Sequence, residues 1–163
     1  MASNVVLKFV DVEGESTQTD YVGWIEAGSF QFGCSAPINA TAGTGLASGK
    51  GIPSNYGFST EMGTHSAALL KKMLQGTHHS KVDVKILKLV GQDSLKPYFE
   101  VEGIDVYVDM ISWSCGSDGK LSEMISFQAT EHKWSYHQQK TAGGALEAKA
   151  PTGYNVQQGT VTA

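Results

Sequence analysis

Charged residues are almost absent from one long stretch of this 163-residue chain. Between Glu26 and Glu61 the only charged side chain is Lys50, and the middle of the stretch consists largely of Gly, Ala, Ser and Thr. Solvated charge normally keeps exposed loops from associating with other proteins. The stretch is therefore predicted to be either a mobile linker or a surface that another chain covers.

Long apolar runs and an excess of basic residues are also missing. No run approaches the roughly 20 apolar residues that a membrane-spanning helix needs, so we expect no membrane insertion. The net charge of −4 argues against nucleic acid as a partner, because phosphate backbones bind basic surfaces. The segment from Met1 to Lys8 lacks a basic leader before a long apolar stretch, and we expect a chain made in the cytoplasm without a Sec signal peptide.

The sequence holds no recognisable nucleotide site. Residues 45–50 resemble the end of a phosphate-binding loop, but the pattern requires glycine at position 44, where the chain has Thr44. Gly51 stands where Ser or Thr would hold magnesium. We predict no cofactor.

No residue pattern indicates catalysis or a metal. Cys34 and Cys115 are far apart and match no metal-binding or redox spacing. Adjacent histidines at 78 and 79 should point to opposite faces of an extended chain, and exposure in a loop is the simplest interpretation. His132 and His137 are also predicted to face opposite sides and to have a structural or interface role. We therefore expect a protein that is not an enzyme, with no catalytic and no metal-binding residues.

Alternation of apolar and polar residues predicts six or seven strands and indicates an all-β barrel or sandwich. Two long strands over 97–113 and 120–138 dominate, with expected bulges at Gly103 and between 129 and 134. One short α-helix is predicted over 67–75, with Ser66 as its N-cap and Gly76 after its end. We expect one domain over 1–140 and a tail over 141–163 with a possible strand at 154–157.

Several segments together resemble the Hcp (haemolysin-coregulated protein) family of bacterial type VI secretion. They are Leu7-Lys-Phe9 with Glu13-Gly-Glu-Ser16, the loop Gly43-Thr-Gly-Leu-Ala-Ser-Gly-Lys50, the helix Ser66-Ala-Ala-Leu-Leu-Lys71 with Gly76-Thr-His78, and Ala142-Gly-Gly144 with Gly153-Tyr-Asn155. They keep the family's order over nearly the whole chain.

The resemblance implies a two-sheet β-barrel of antiparallel strands with one helix. Six copies would close into a ring, and rings would stack into the hollow inner tube of the secretion machine. The implied partners are other copies of the chain, a VgrG-type spike, sheath and baseplate proteins, and small effectors carried in the lumen. The tube protein would itself leave the cell through the same machine.

The resemblance places the uncharged loop at a junction between subunits or rings. The candidate interface residues are Cys34, Pro37, Gly43, Gly45, Leu46, Gly49 and Lys50. Gly45→Asp is then predicted to weaken ring formation, because it would bury an unpaired charge. One alternative is a monomeric barrel that binds a small ligand, with the loop as a mobile lid, and another is a hydrolase that uses His132 or His137.

Overall fold

Fourteen strands and one helix occur in the described part of this chain. The computed structural model describes residues 4–41, 45–90, 95–140 and 145–162. The strands are β1 (Val5–Phe9), β2 (Ile25–Ala27), β3 (Ser29–Gln31), β4 (Cys34–Ser35), β5 (Ile38–Thr41), β6 (Gly45–Ser48), β7 (Ile52–Pro53), β8 (Tyr56–Glu61), β9 (His79–Leu89), β10 (Leu95–Cys115), β11 (Leu121–Gln139), β12 (Leu146–Ala148), β13 (Thr152–Asn155) and β14 (Thr160–Thr162). The helix α1 spans Thr64–Gln75.

The long hairpin of β10 and β11 organises the main sheet. These two strands pair from Phe99↔Tyr136 to Cys115↔Leu121. On the β10 side follow β9, β1 and β2, and on the β11 side lie β8 with β3 and also β13 with β14. All of these pairs are antiparallel. The prediction of an all-β fold of antiparallel strands with one short helix is confirmed.

The sheet bends at Gly28 and does not close into a continuous ladder. The sequence predicts one strand over 21–32, whereas β2 pairs with β1 and β3 pairs with β8. At the change of partner, the backbone N–H of Gly28 donates to the carbonyl of Ser59 across 2.8 Å. The hydroxyl of Thr60 donates to the carbonyl of Glu26, also across 2.8 Å. These two bonds bring the ends of the sheet together.

Apolar side chains fill the space that the bent sheet encloses. Phe9 and Phe127 meet edge to face with ring centroids 5.6 Å apart, and both are fully buried. Leu69 of α1 packs into the same cluster and is also fully buried. Complete burial of one such side chain contributes roughly 1.5–3 kcal/mol. The helix is thereby held against the sheet.

The helix begins before its predicted N-cap. Gly63 occupies the cap position, and Ser66 is the third helical residue. The Ser66 hydroxyl accepts the N–H of Gly63 at 3.0 Å and donates to Glu123 of β11 at 2.8 Å. The prediction of Ser66 as N-cap is wrong because its hydroxyl has a partner in the sheet. Gly76 ends the helix with φ +64°, the left-handed conformation that favours glycine there.

Neither predicted bulge occurs where the sequence placed it. The pairing runs through Gly103↔His132 and through Val101↔Trp134 without a shift. The register of β10 shifts instead between Pro97 and Phe99 against β9, and between Val108 and Met110 against β11. Proline lacks the N–H that a regular ladder needs, which accounts for the first shift.

The last segment of the chain extends the sheet. The strand predicted at 154–157 is found at Thr152–Asn155, paired with β11 and with β14. Residues 146–148 form a further strand on β11.

One face of β9, β10 and β11 carries a network of paired charges, which we call the charge ladder. Glu102 lies 3.0 Å from the ammonium of Lys81 and 3.7 Å from that of Lys133, and Lys81 also lies 3.0 Å from Asp83. Beside this group, Lys85 lies 3.6 Å from Glu100.

Candidate assembly interface: the arm at residues 34–53

Two short antiparallel ladders build an arm between β3 and β8, here defined as residues 34–53. At its base Cys34 pairs with Pro53, and Ser35 pairs with Ile52. Farther out β5 pairs with β6, from Ile38↔Ser48 to Thr41↔Gly45. Neither ladder belongs to the main sheet. Within the stretch between Glu26 and Glu61, residues 34–41 and 45–53 therefore contain paired strands outside the main sheet.

The arm exposes large apolar side chains. Ile38 is 66% exposed, Leu46 is 78% exposed and Ile52 is 55% exposed. Single exposed apolar residues are ordinary on protein surfaces, but several on one uncharged projection indicate a contact surface. The arm shares one compositional feature with the central part of a protein–protein interface, the depletion of charged residues.

Two glycines shape the arm. The N–H of Gly49 donates to the carbonyl of Pro37 across 2.8 Å, and a Cβ at Gly49 would lie 2.6 Å from Cγ of Pro37. That close approach requires glycine. Gly45 has φ +87°, in the region that residues with a side chain rarely adopt. Apart from its chain neighbours, no atom of the described residues lies within 4 Å of where its Cβ would be. The backbone of Gly45, rather than its surroundings, requires glycine.

Lys50 ties the base of the arm to the end of the chain. Its ammonium donates a hydrogen bond to the carbonyl of Gly159, in the turn between β13 and β14, across 3.2 Å. Beside this bond lies a cavity of about 630 Å³, here called the groove. Its lining includes Cys34, Lys50, Pro53, Trp134, Tyr154 and Val161.

The structure places the sequence-predicted interface residues in two groups. Pro37, Gly45, Leu46 and Gly49 lie on the arm, whereas Cys34 and Lys50 lie at its base and line the groove. Gly43 lies outside the described residues. Whether these residues contact another subunit stays a prediction.

Sequence reasoning missed Ile38 and Ile52 on the arm and Trp134 and Val161 in the groove. The first two could have been found as apolar residues within the uncharged stretch. Trp134 and Val161 carried no such signal, because only the folded sheet brings them to the arm.

The histidines have structural surroundings. His79 is fully buried with its Nδ1 2.7 Å from Asp11, while His78 is exposed, so the opposite orientations are confirmed and loop exposure of His79 is wrong. Burial lowers the pKa of His79, and Asp11 partly opposes that shift. Burial would raise the pKa of Asp11, but hydrogen bonds from Lys72 and His79 outweigh it and lower the pKa to about 2.

His132 and His137 also have different surroundings. His132 is buried within hydrogen-bonding distance of Tyr56, and burial lowers its pKa. The Nε2 of His137 lies 2.9 Å from Glu100 at the edge of the charge ladder.

Among the described residues, no group of three or more His, Cys, Asp or Glu side chains is arranged to hold a metal ion. In the same parts of the chain, no helix is long and apolar enough to cross a membrane.

Comparison with known proteins identifies the family. A family model described as type VI secretion system effector, Hcp, matches residues 6–136. A solved structure described as a type six secretion system protein aligns with a TM-score of 0.89 at 26% identity, covering 99% of this chain and 100% of the other. A search of curated proteins found no match.

Two further solved structures share the fold. Hcp1 from Salmonella typhimurium aligns with a TM-score of 0.77 at 22% identity, covering 99% of this chain and 100% of the other. A type VI secretion system effector from Yersinia pestis aligns with a TM-score of 0.70 at 19% identity, covering 93% and 99%.

An antiparallel sheet with one helix, as the described residues have it, is the fold of a type VI secretion tube protein. The chain belongs to the Hcp family.

Proposed function

We propose that this protein is a structural subunit that closes into hexameric rings, and that the rings stack into the inner tube of a type VI secretion system. The observation that carries the proposal is the arm, which presents Ile38 and Leu46 to solvent on a hairpin whose only charge is Lys50. A subunit that remained monomeric would leave this apolar surface exposed to water. Association with a second copy removes it from water, which is favourable in proportion to the apolar area covered.

A ring or stack of identical subunits joins two different surfaces of the chain. Such head-to-tail contacts are heterologous, so the arm does not have to be complementary to itself. Small neutral residues such as Gly45, Ala47 and Gly49 let backbones approach closely without leaving a buried charge unpaired.

The family suggests the remaining parts of the function. The stacked rings would carry or chaperone small effectors in the lumen, bear a VgrG-type spike and lie within sheath and baseplate proteins. The subunit would reach the extracellular space or a target cell through the same machine. In this role the protein acts by assembly and has no catalytic activity.

The packing of the subunit disfavours a monomeric ligand-binding barrel. Phe9, Phe58 and Phe127 are fully buried and occupy the space where an interior ligand would bind.

Two matched substitutions test the proposal. Leu46→Glu places a charge on the arm, and Leu74→Glu places the same charge on α1, where Leu74 is 75% exposed. We expect the wild type and Leu74→Glu to sediment at the mass of a ring and Leu46→Glu to sediment mainly as monomer, with all three equally stable to urea. A wild-type monomer at high concentration would contradict the ring, and an intact Leu46→Glu ring would contradict the role of the arm.

A further inference from the structure

The groove at the base of the arm is a second surface that is nearly free of charge. Among the six lining residues that define it, only Lys50 is charged, and its ammonium already donates to Gly159. The wall opposite the arm is the hairpin of β13 and β14, where Val161 is 76% exposed. The groove therefore offers an apolar surface without a free cation or anion among those six residues.

A free strand edge borders the groove. Within the described residues β14 pairs only with β13, so the outer edge of Thr160–Thr162 has no strand beside it. On the arm, β6 likewise pairs only with β5 in the described part of the chain. Unpaired edges are ready to accept a strand from another chain.

The floor of the groove is rigid. The indole N–H of Trp134 donates to the hydroxyl of Tyr56 across 3.1 Å. The indole ring also stacks on His132 with centroids 5.5 Å apart and an interplanar angle of 6°. A side chain held in this way keeps its position without a further loss of side-chain entropy on binding.

We propose that the groove receives the outer part of the arm, with Ile38 and Leu46, from a second copy of this chain. This inference rests on the proposed function and adds the acceptor surface. The occupant follows from complementarity. The outer part of the arm is apolar and without charge, and the one charged residue that lines the groove, Lys50, is already bonded to Gly159. Both surfaces also have free strand edges among the described residues. Since the groove lies at the base of the arm, each copy offers both surfaces, and the contact repeats head to tail.

The outer part of the arm is separated from the base along the chain. Leu46 pairs with Ala40, which lies six positions after Cys34. Extended chain rises about 3.3 Å per residue, so this separation spans at most roughly 20 Å. A link between position 46 and Cys34 reports a contact between two copies when it joins two chains on a denaturing gel.

Cysteine cross-linking tests the inference. Leu46→Cys is made in a Cys115→Ser background, so that Cys34 is the remaining native thiol. A disulfide needs Cα atoms within about 7 Å, and a short bismaleimide tolerates a small offset. We expect covalent multimers in high yield, both when the two thiols are oxidised to a disulfide and when the bismaleimide is added. Adding Cys34→Ser should lower that yield at least tenfold.

Two controls separate possible outcomes. Leu74→Cys in the same background should give no multimers that depend on Cys34, and Ile38→Cys replaces Leu46→Cys if that variant does not assemble. Val161→Glu should weaken assembly at least tenfold while the urea midpoint of the subunit stays unchanged.

Two outcomes would contradict the proposals. Assembled rings without a Cys34-dependent link from either arm position would overturn the inference that the groove receives the arm and leave the proposed function standing. A wild-type monomer would overturn both.

Discussion

The hydroxyl group of Tyr56 lies 2.8 Å from Nδ1 of His132. The same hydroxyl oxygen accepts a hydrogen bond from the indole N–H of Trp134. Because an indole nitrogen can only donate, the Trp134 bond uses a lone pair of the Tyr56 oxygen and leaves the Tyr56 proton available to Nδ1 of His132. In that arrangement His132 is neutral with its ring proton on Nε2, and a proton added at Nδ1 would remove the acceptor.

Acid should destabilise the subunit through this contact. Burial lowers the pKa of His132 below its ordinary value of 6.5, so the unfolded chain binds a proton that the folded chain resists. The folded state therefore keeps its full stability above the pKa that His132 has in the unfolded chain, and it loses stability as the pH falls below that value. We expect the free energy of unfolding, measured with urea, to fall between about pH 7.5 and pH 5, and to fall less in His132→Gln.

The exposed His78 provides the control for this prediction. Its side chain is 48% exposed, so His78→Gln removes a histidine without opening the core and is the matched substitution. Burial also lowers the pKa of His65 and His79, and some pH dependence should therefore remain in His132→Gln. Equal pH profiles for His132→Gln and His78→Gln would contradict the assignment.

Glu123 should be among the most sensitive polar positions of the fold. Its carboxylate is 1% exposed, accepts hydrogen bonds from Ser66 and from the indole of Trp113, and lies 3.3 Å from Nε2 of His65. Glu123→Ala leaves the buried hydroxyl of Ser66 and the buried ring of His65 without this partner. Each unsatisfied buried group of this kind should cost about 1–3 kcal/mol of unfolding free energy. Urea denaturation measures the loss.

The matched change at Glu61 should have little effect. Glu61 is 72% exposed at its side chain and pairs with Lys120 on the surface. An exposed pair of this kind contributes at most about 1 kcal/mol. Similar losses of unfolding free energy in Glu61→Ala and Glu123→Ala would contradict the prediction that the buried cluster around Glu123 contributes more to stability.

Gly45 allows backbone strain on the arm to be separated from charge. Gly45→Asp alone would confuse the two effects, because any side chain at φ +87° is strained. Gly45→Ala adds strain without charge, and Gly45→Asn adds less, since Asn tolerates left-handed conformations better. We expect assembly to weaken in the order wild type, Asn, Ala, as measured by sedimentation over a range of concentrations.

Thermal unfolding of the monomer should not follow that order. No atom lies within 4 Å of the position of a Cβ at Gly45, so the substitution touches nothing in the core. Equal assembly of all three proteins would show that the conformation of the arm does not matter for association. A lowered midpoint of the monomer would instead show that the arm supports the fold.

Local patterns predicted most of the elements of the subunit. Alternation located β1, β9 and β11, and the helix followed from the apolar residues around Leu69 and the glycine at its end. The start of the helix was not predictable, because the Ser66 hydroxyl is satisfied by Glu123, which lies 57 residues farther along. The break at Gly28 was missed for a similar reason, since the change of partner strand depends on both β1 and β8.

The candidate interface was predictable only in part. The lack of charge identified the arm from sequence, and glycine content identified the positions where backbones come close. The groove combines Cys34, Trp134 and Val161, which are brought together by the pairing of β13 with β11 and by the Lys50–Gly159 bond. No local pattern connects segments so far apart in the chain.

The charge ladder has an electrical consequence. Lys81, Lys85 and Lys133 are balanced by Asp83, Glu100 and Glu102, so the formal charges of these six side chains sum to zero. The field of alternating neighbours cancels within a few ångströms, well inside the Debye length of about 8 Å at physiological ionic strength. A charged molecule farther away than that is therefore neither attracted nor repelled by these six side chains.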